Sequence, residues 1–238
     1  MPLSPEQEWT LVACGLVAHA DGIIGIGEWD RVLVLLDDRI DSDEAATWLL
    51  LLADQDALRE RLEALQPPAP LFSEDILERA WRMALADGSG SDGEAAVLDT
   101  VAAKLGVSSG EVATLRGQWL AQAQIRSEIV AGFAVVMACL DGEVAAKEIE
   151  EYEALLERLP LREGRRDVLR ALLDTPPDLD TLVGQMLVQT PEERGVTLQS
   201  IVPLVRAGSG EGAERALFVD VAARLAITQH DAETMLCR

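Results

Sequence analysis

Positive charge is scarce in this chain of 238 residues, which carries 20 Lys and Arg against 42 Asp and Glu for a formal net charge of −22. A field of that sign repels phosphate backbones and anionic lipid. It argues against nucleic-acid binding and favours cations or a protein partner with a basic surface. Long apolar runs are missing too. Runs such as Trp48–Ala53 fall far below the roughly 20 residues that span a bilayer, so no direct membrane insertion is expected. No basic segment followed by a long apolar stretch opens the chain, so no secretory signal is expected. Cysteine is limited to Cys14, Cys139 and Cys237, odd in number and without a pairing or zinc-ligand pattern. A reduced, cytoplasmic setting fits. No segment alternates β-branched and polar residues over a strand's length, so no sheet is expected and the fold class reads as all-α. Nucleophile-plus-base pairs and cofactor motifs are absent as well, and Gly208–Gly212 is Gly-rich but lacks the following Lys of a nucleotide loop. Nothing here reads as an enzyme.

What the chain does contain is a recurring turn. Asp87–Glu94 reads Asp-Gly-Ser-Gly-Ser-Asp-Gly-Glu and places an Asp seven residues before a Glu. The same Asp-Gly…Glu spacing occurs at Asp21-Gly22…Glu28 and Asp141-Gly142…Glu148. A fourth copy, Ala207-Gly208…Glu214, keeps the Gly and the Glu without the Asp. The steps of 66, 54 and 66 residues between copies describe a duplication with a period of 120. Two domains follow, residues 1–121 and 122–238, with net charges of −14 and −8. Asp21 is expected to superpose on Asp141 and Gly88 on Gly208. Each turn Gly should end a helix and each Glu should lie in the first turn of the next.

Helical periodicity fills the segments between turns. Ser4-Pro5 starts a helix over residues 5–20, and a second is expected over Gly27–Arg39 with Trp29 inward. Ser42-Asp43-Glu44 starts a third that continues or breaks before Leu65. Pro67–Pro70 is a connector that cannot be helix interior, and Ser73-Glu74-Asp75 should cap the next helix. Ser91…Glu94 and Ser108…Glu111 match the capping box. No Gly or Pro separates Trp119 from Ile129–Leu140, so the halves should be joined by a nearly continuous helix or a tight helical bend around Gln122–Ser127, not by a floppy linker. In the second half, helices are expected over Ala145–Arg158, Arg162–Leu173, Leu179–Leu187, Glu192–Arg206, Gly212–Leu225 and Asp231–Cys237.

The turn carboxylates allow two readings. An Asp before Gly and a Glu in the first helical turn can serve the turn and the helix dipole alone. Alternatively Asp21, Glu28, Asp87 and Glu94 converge into a hard oxygen site suited to Ca²⁺, Mg²⁺ or Mn²⁺. The second half offers Asp141, Glu148 and Glu214. The turn is not an EF-hand, since counting from Asp87 the twelfth position is Leu98. His19 reads as a core residue. Arg162, Arg165, Arg166 and Arg170 form a basic helix face that either grips a phosphate or acidic partner, or answers nearby acids.

With these residues in view, the chain resembles the TerB-like family, the tellurite-resistance TerB proteins and the N-terminal domain of the DjlA co-chaperones. The likeness rests on Ala20-Asp21-Gly22…Glu28, Ala86-Asp87-Gly88…Glu94 and Leu140-Asp141-Gly142…Glu148, and on Ala102–Ser108 downstream. It implies two tandem helical bundles of about seven helices each, stress-response or interaction roles, and turn carboxylates suspected of holding a divalent metal. The resulting expectation is a non-enzymatic interaction module tuned by a cation. The alternatives are a metal-ion sensor or sequestering protein and, third, a metal-dependent hydrolase.

Overall fold

A computed structural model describes residues 3–20, 42–85, 90–140, 142, 144–207 and 212–237. Among these residues every regular element is helical and there is no strand. The chain divides into two compact units, Met1–Ala123 and Gln124–Arg238. The expected helix over Gly27–Arg39, with Trp29, lies outside the described residues.

The first unit is built on α1 (Pro5–Ala18). Its start is fixed by a capping box: Gln7 N–H donates to Ser4 Oγ at 3.3 Å, and Ser4 N–H donates to Gln7 Oε1 at 2.9 Å. From Trp9 to Ala18 every residue is buried, the signature of a helix that is apolar all round and enclosed by others. Around it pack α2 (Ser42–Leu52), α3 (Gln55–Ala64), α4 (Ser73–Ala84) and α5 (Asp92–Leu105). The single polar handle on Trp9 is satisfied, its Nε1–H donating to the Gln66 carbonyl at 2.7 Å. Truncating a fully buried Leu here, such as Leu58 or Leu77, would cost roughly 2–5 kcal/mol.

Of the two courses left open for the segment from Ser42, the chain takes the break, at Ala53–Asp54, because Asp54 Oδ1 accepts from the N–H groups of Asp56 and Ala57 at 3.0 Å and starts a new helix. One local expectation is corrected. Ser73 does not cap α4. A 3₁₀ turn over Pro70–Phe72 leads into the helix, the cap position falls on Phe72, and Ser73 lies inside the helix and is buried.

A 30-residue helix, α6 (Ser109–Ala138), then runs without interruption through residues 122–127. Its last ten residues carry the second core, with Phe133, Ala134, Val135 and Met137 fully buried. The second unit continues with α7 (Ala146–Arg158), α8 (Glu163–Arg170) and its 3₁₀ extension Ala171–Leu173, α9 (Leu179–Leu187), α10 (Pro191–Ala207), α11 (Ala213–Arg224) and α12 (Gln229–Cys237).

Burial shows how the two halves correspond. Glu94, Leu98, Val101, Ala102 and Leu105 are buried on α5, and Glu214, Phe218, Val221, Ala222 and Leu225 are buried 120 residues later. Both helices end alike. Val107 N–H donates to the Ala102 carbonyl and Ile227 N–H to the Ala222 carbonyl, each at 2.9 Å, across a left-handed residue that is Gly106 (φ 78°) in one case and Ala226 (φ 62°) in the other. On α4 the buried set is Ile76, Leu77, Ala80, Trp81, Met83 and Ala84; on α10 it is Thr197, Leu198, Ile201, Val202, Leu204 and Val205. That offset is 121, not 120. The expected pairings of Asp21 with Asp141 and of Gly88 with Gly208 fall on residues outside those described. Between α3 and α9 the offset reaches 124: Leu58 and Leu62 correspond to Leu182 and Met186, and the N-caps Asp54 and Asp178 are 124 apart.

Candidate functional site

Of the seven candidate carboxylates, Asp21, Glu28, Asp87 and Asp141 lie outside the described residues. Glu94, Glu148 and Glu214 are described, and each lies in the first turn of its helix. All three are buried, at 4%, 3% and 3% exposure, which is rare for Glu and demands a partner for each oxygen.

Glu94 meets that demand through a reciprocal box. Ser91 N–H donates to Glu94 Oε2 at 2.6 Å, and Glu94 N–H donates to Ser91 Oγ at 3.1 Å. Each bond satisfies an amide at the end of α5 that has no helical partner. The carboxylate also faces the positive end of the helix dipole. Glu148 makes half of the arrangement, accepting from Ala145 N–H at 2.8 Å; Ala145 has no side-chain oxygen to return the bond. Glu214 makes neither half. The cap position of α11 is Gly212, with no side-chain cap, and Oε2 of Glu214 is buried without a hydrogen-bond partner.

The entry to α5 is held by a second device. Gly90 has φ 82°, and a Cβ built on it would meet Trp81 Cη2 and Cζ2 at 2.4 and 2.5 Å. The indole thus occupies the space of any larger residue, and the left-handed backbone also requires Gly. The Arg116 guanidinium lies 5.5 Å from the Trp81 ring centroid, within cation–π range. Its Nη1 is 3.8 Å from Asp99 Oδ1, too long for a hydrogen bond, and both atoms are buried and unpartnered. The sequence pointed to Gly88 in this turn. The signal for Gly90 was present as Ser-Gly-Ser, but its packing against Trp81 is a tertiary fact.

The remaining candidates have structural duties. His19 Nε2 is 2.8 Å from the Leu52 carbonyl, tying the end of α1 to that of α2. Burial pushes the Cys14 thiol up to about 12, so it stays protonated at neutral pH and is a poor nucleophile or metal ligand. Arg165 bonds both oxygens of Glu128 at 2.7 Å. Arg170 is shared among Glu163, Glu153 and Asp167, whose hydrogen bonds raise its pKa further. Arg166 donates to the carbonyls of Glu157 and Leu159 at 3.2 Å. The basic face thus answers nearby acids and helix ends.

Among the described residues, no group of three or more His, Cys, Asp or Glu side chains stands ready to hold a metal. The donor chemistry nevertheless differs between positions. Glu94 and Glu148 each have an oxygen engaged by a backbone amide, whereas Glu214 has a buried oxygen to offer.

The geometry defines a class: an acidic all-helical protein in which α5, α7 and α11 each bury a glutamate in the first turn. Comparison adds a family likeness for the first half. Residues 7–117 match the family model described as Tellurite resistance protein TerB, a match that ends before the midpoint of the chain. No curated protein and no solved structure matches the chain.

Proposed function

We propose that the chain is a non-enzymatic interaction module made of two tandem TerB-like units, acting in the bacterial cytoplasm in a stress response of the tellurite-resistance kind. Its partner is a protein with a basic surface, and a divalent cation at the turn carboxylates tunes the association. One observation carries the reading: among the described residues, most of the cations are used internally. Arg61 pairs with Glu8, Lys104 with Glu63, Arg126 with Glu193, Arg165 with Glu128 and Arg224 with Asp180. Arg194 and Arg206 are turned onto backbone carbonyls. With 42 acids against 20 bases, the excess carboxylate is left to face a partner, and the resulting field favours basic surfaces.

A second reading, a divalent-cation sensor or sequestering protein, is favoured by the unpartnered Oε2 of Glu214. A buried carboxylate oxygen without a donor is a costly arrangement that Ca²⁺, Mg²⁺ or Mn²⁺ would relieve. One experiment separates the two. The immobilised full chain is exposed to bacterial lysate at low and at high salt, with and without calcium or manganese, alongside calorimetry of the same ions. Basic proteins held at low salt and released at high salt support the module. Saturable heat lost in Glu214→Gln, with no retained protein, supports the sensor. Acidic or salt-insensitive partners contradict the first reading.

A further inference from the structure

In the first unit α3 and α5 both pack on α1, and a cavity of about 660 Å³ opens between them. Its apolar surface is made by Leu16, Leu62 and Val101, with Ala96 and Val97 on the α5 side. Leu16, Leu62 and Val101 are core residues, so this surface is rigid. The groove stays open because α5 presents short side chains, Ala96, Val97 and Thr100, where larger ones would fill it. Lys104 on α5 reaches Glu63 on α3 at 2.9 Å and spans the gap.

The rim decides what fits. Of its charged groups, Arg59 is bound to Asp56 at 3.2 Å and Glu63 to Lys104. Glu60 lines the groove with no ion pair and is exposed. Among the described residues, the only lining charge without a partner is therefore negative, in a chain whose net charge is −22. Arg59, Glu60, Glu63, Ala96 and Thr100 are all exposed, so a small molecule seated there would leave one side in water. A helix needs to bury only one face, which is the recurrent mode for apolar grooves between helices. The second unit lacks this rim: in the 124-residue register that relates α3 to α9, Glu60 becomes Gly184 and Glu63 becomes Leu187.

We propose that the α3–α5 groove of the first unit docks an amphipathic helix of a partner protein, its apolar stripe on Leu16, Leu62 and Val101 and a Lys or Arg of its polar face beside Glu60. This rests on the interaction-module reading and names the place and chemistry of the contact.

The probe is a labelled 18-residue helical peptide with Leu at i, i+3, i+4 and i+7 spacing and Lys elsewhere. It is compared with a peptide of identical composition scrambled to destroy the stripe. Binding to the full chain is followed by anisotropy, and Ala96→Trp is used to fill the groove at an exposed position, with helicity and melting checked. The striped peptide should bind at least tenfold more tightly than the scrambled one. Ala96→Trp should weaken it tenfold or more, and Glu60→Lys severalfold, while leaving the scrambled peptide unchanged. If both peptides bind equally and Ala96→Trp has no effect, the groove proposal is overturned while the acidic-module reading stands. If neither Lys-rich peptide binds, both fall.

Discussion

The entries to α5 and α11 are the most informative pair of regions in this molecule. Both begin with a buried Glu, 120 residues apart, and both helices bury the same five positions and end in the same hydrogen-bonded turn. Yet one entry is closed by Ser91, Glu94, Gly90 and Trp81, and the other leaves Glu214 Oε2 unpartnered. Burial of a residue type therefore persists while the chemistry that justified it is lost. Keeping the carboxyl and removing its donor turns a stabilising group into a costly one.

The largest effect expected from that contrast is at Gly90. Gly90→Ala adds left-handed strain of about 1–2 kcal/mol to an overlap with Trp81 of about 1–3 kcal/mol, and should destabilise the first unit by about 3 kcal/mol. All five tryptophans lie in the first unit, so urea unfolding followed by tryptophan emission reads it directly. Gly142 provides the control: φ is 84°, but nothing lies within 4 Å of the added Cβ. Gly142→Ala should cost only about 1 kcal/mol, read by circular dichroism of the full chain. Equal losses at the two positions would mean that the Trp81 contact contributes nothing.

The helix ends sharpen the comparison in the opposite sense. Ala226→Gly should stabilise by up to about 1 kcal/mol, since Gly adopts positive φ without strain, and Gly106→Ala should destabilise by about the same amount. Thermal melts giving the same sign for both would show that the two turns are not equivalent.

Much of this was legible in the residues. Ser4-Pro5, the Ser91…Glu94 box and the stop at Gly106 follow from local chemistry and appear as read, and of the two joins expected across residues 122–127, a nearly continuous helix or a tight bend, the chain has the helix. The Leu179–Leu187 helix was read with its bounds. The offsets of 121 and 124 were not legible, because a helix of 3.6 residues per turn tolerates a shift of one residue in a sequence rich in Leu, Val and Ala. Only the pattern of burial reveals it. The fate of Glu214 was equally hidden, since a first-turn Glu reads as a cap whether or not a donor faces it. In the same way, no spacing rule says that Arg166 will meet the carbonyls of Glu157 and Leu159 instead of a ligand.

The smallest expected effect concerns Asp178, the N-cap of α9. Hydrogen bonds from the Thr181 hydroxyl and then from its backbone N–H hold its pKa below the ordinary carboxylate value. A folded pKa that is lowered adds stability above the unfolded carboxylate pKa, and that stability is lost as pH falls through the lowered value. Carboxyl NMR titration should place Asp178 below the ordinary range, and Thr181→Val should bring it part of the way back. No change in Thr181→Val would leave the backbone amide as the whole cause.

The most direct test of the central contrast replaces each buried Glu by an apolar residue of similar length and measures amide hydrogen exchange in α5 and in α11. Glu94→Met removes the acceptor for Ser91 N–H and should lower the opening free energy of α5 by about 1–2 kcal/mol. Glu214→Met removes an unpartnered buried carboxylate and should leave the opening free energy of α11 unchanged or raise it. Comparable losses in both helices would contradict the account, because Glu214 would then hold its own helix start as Glu94 does.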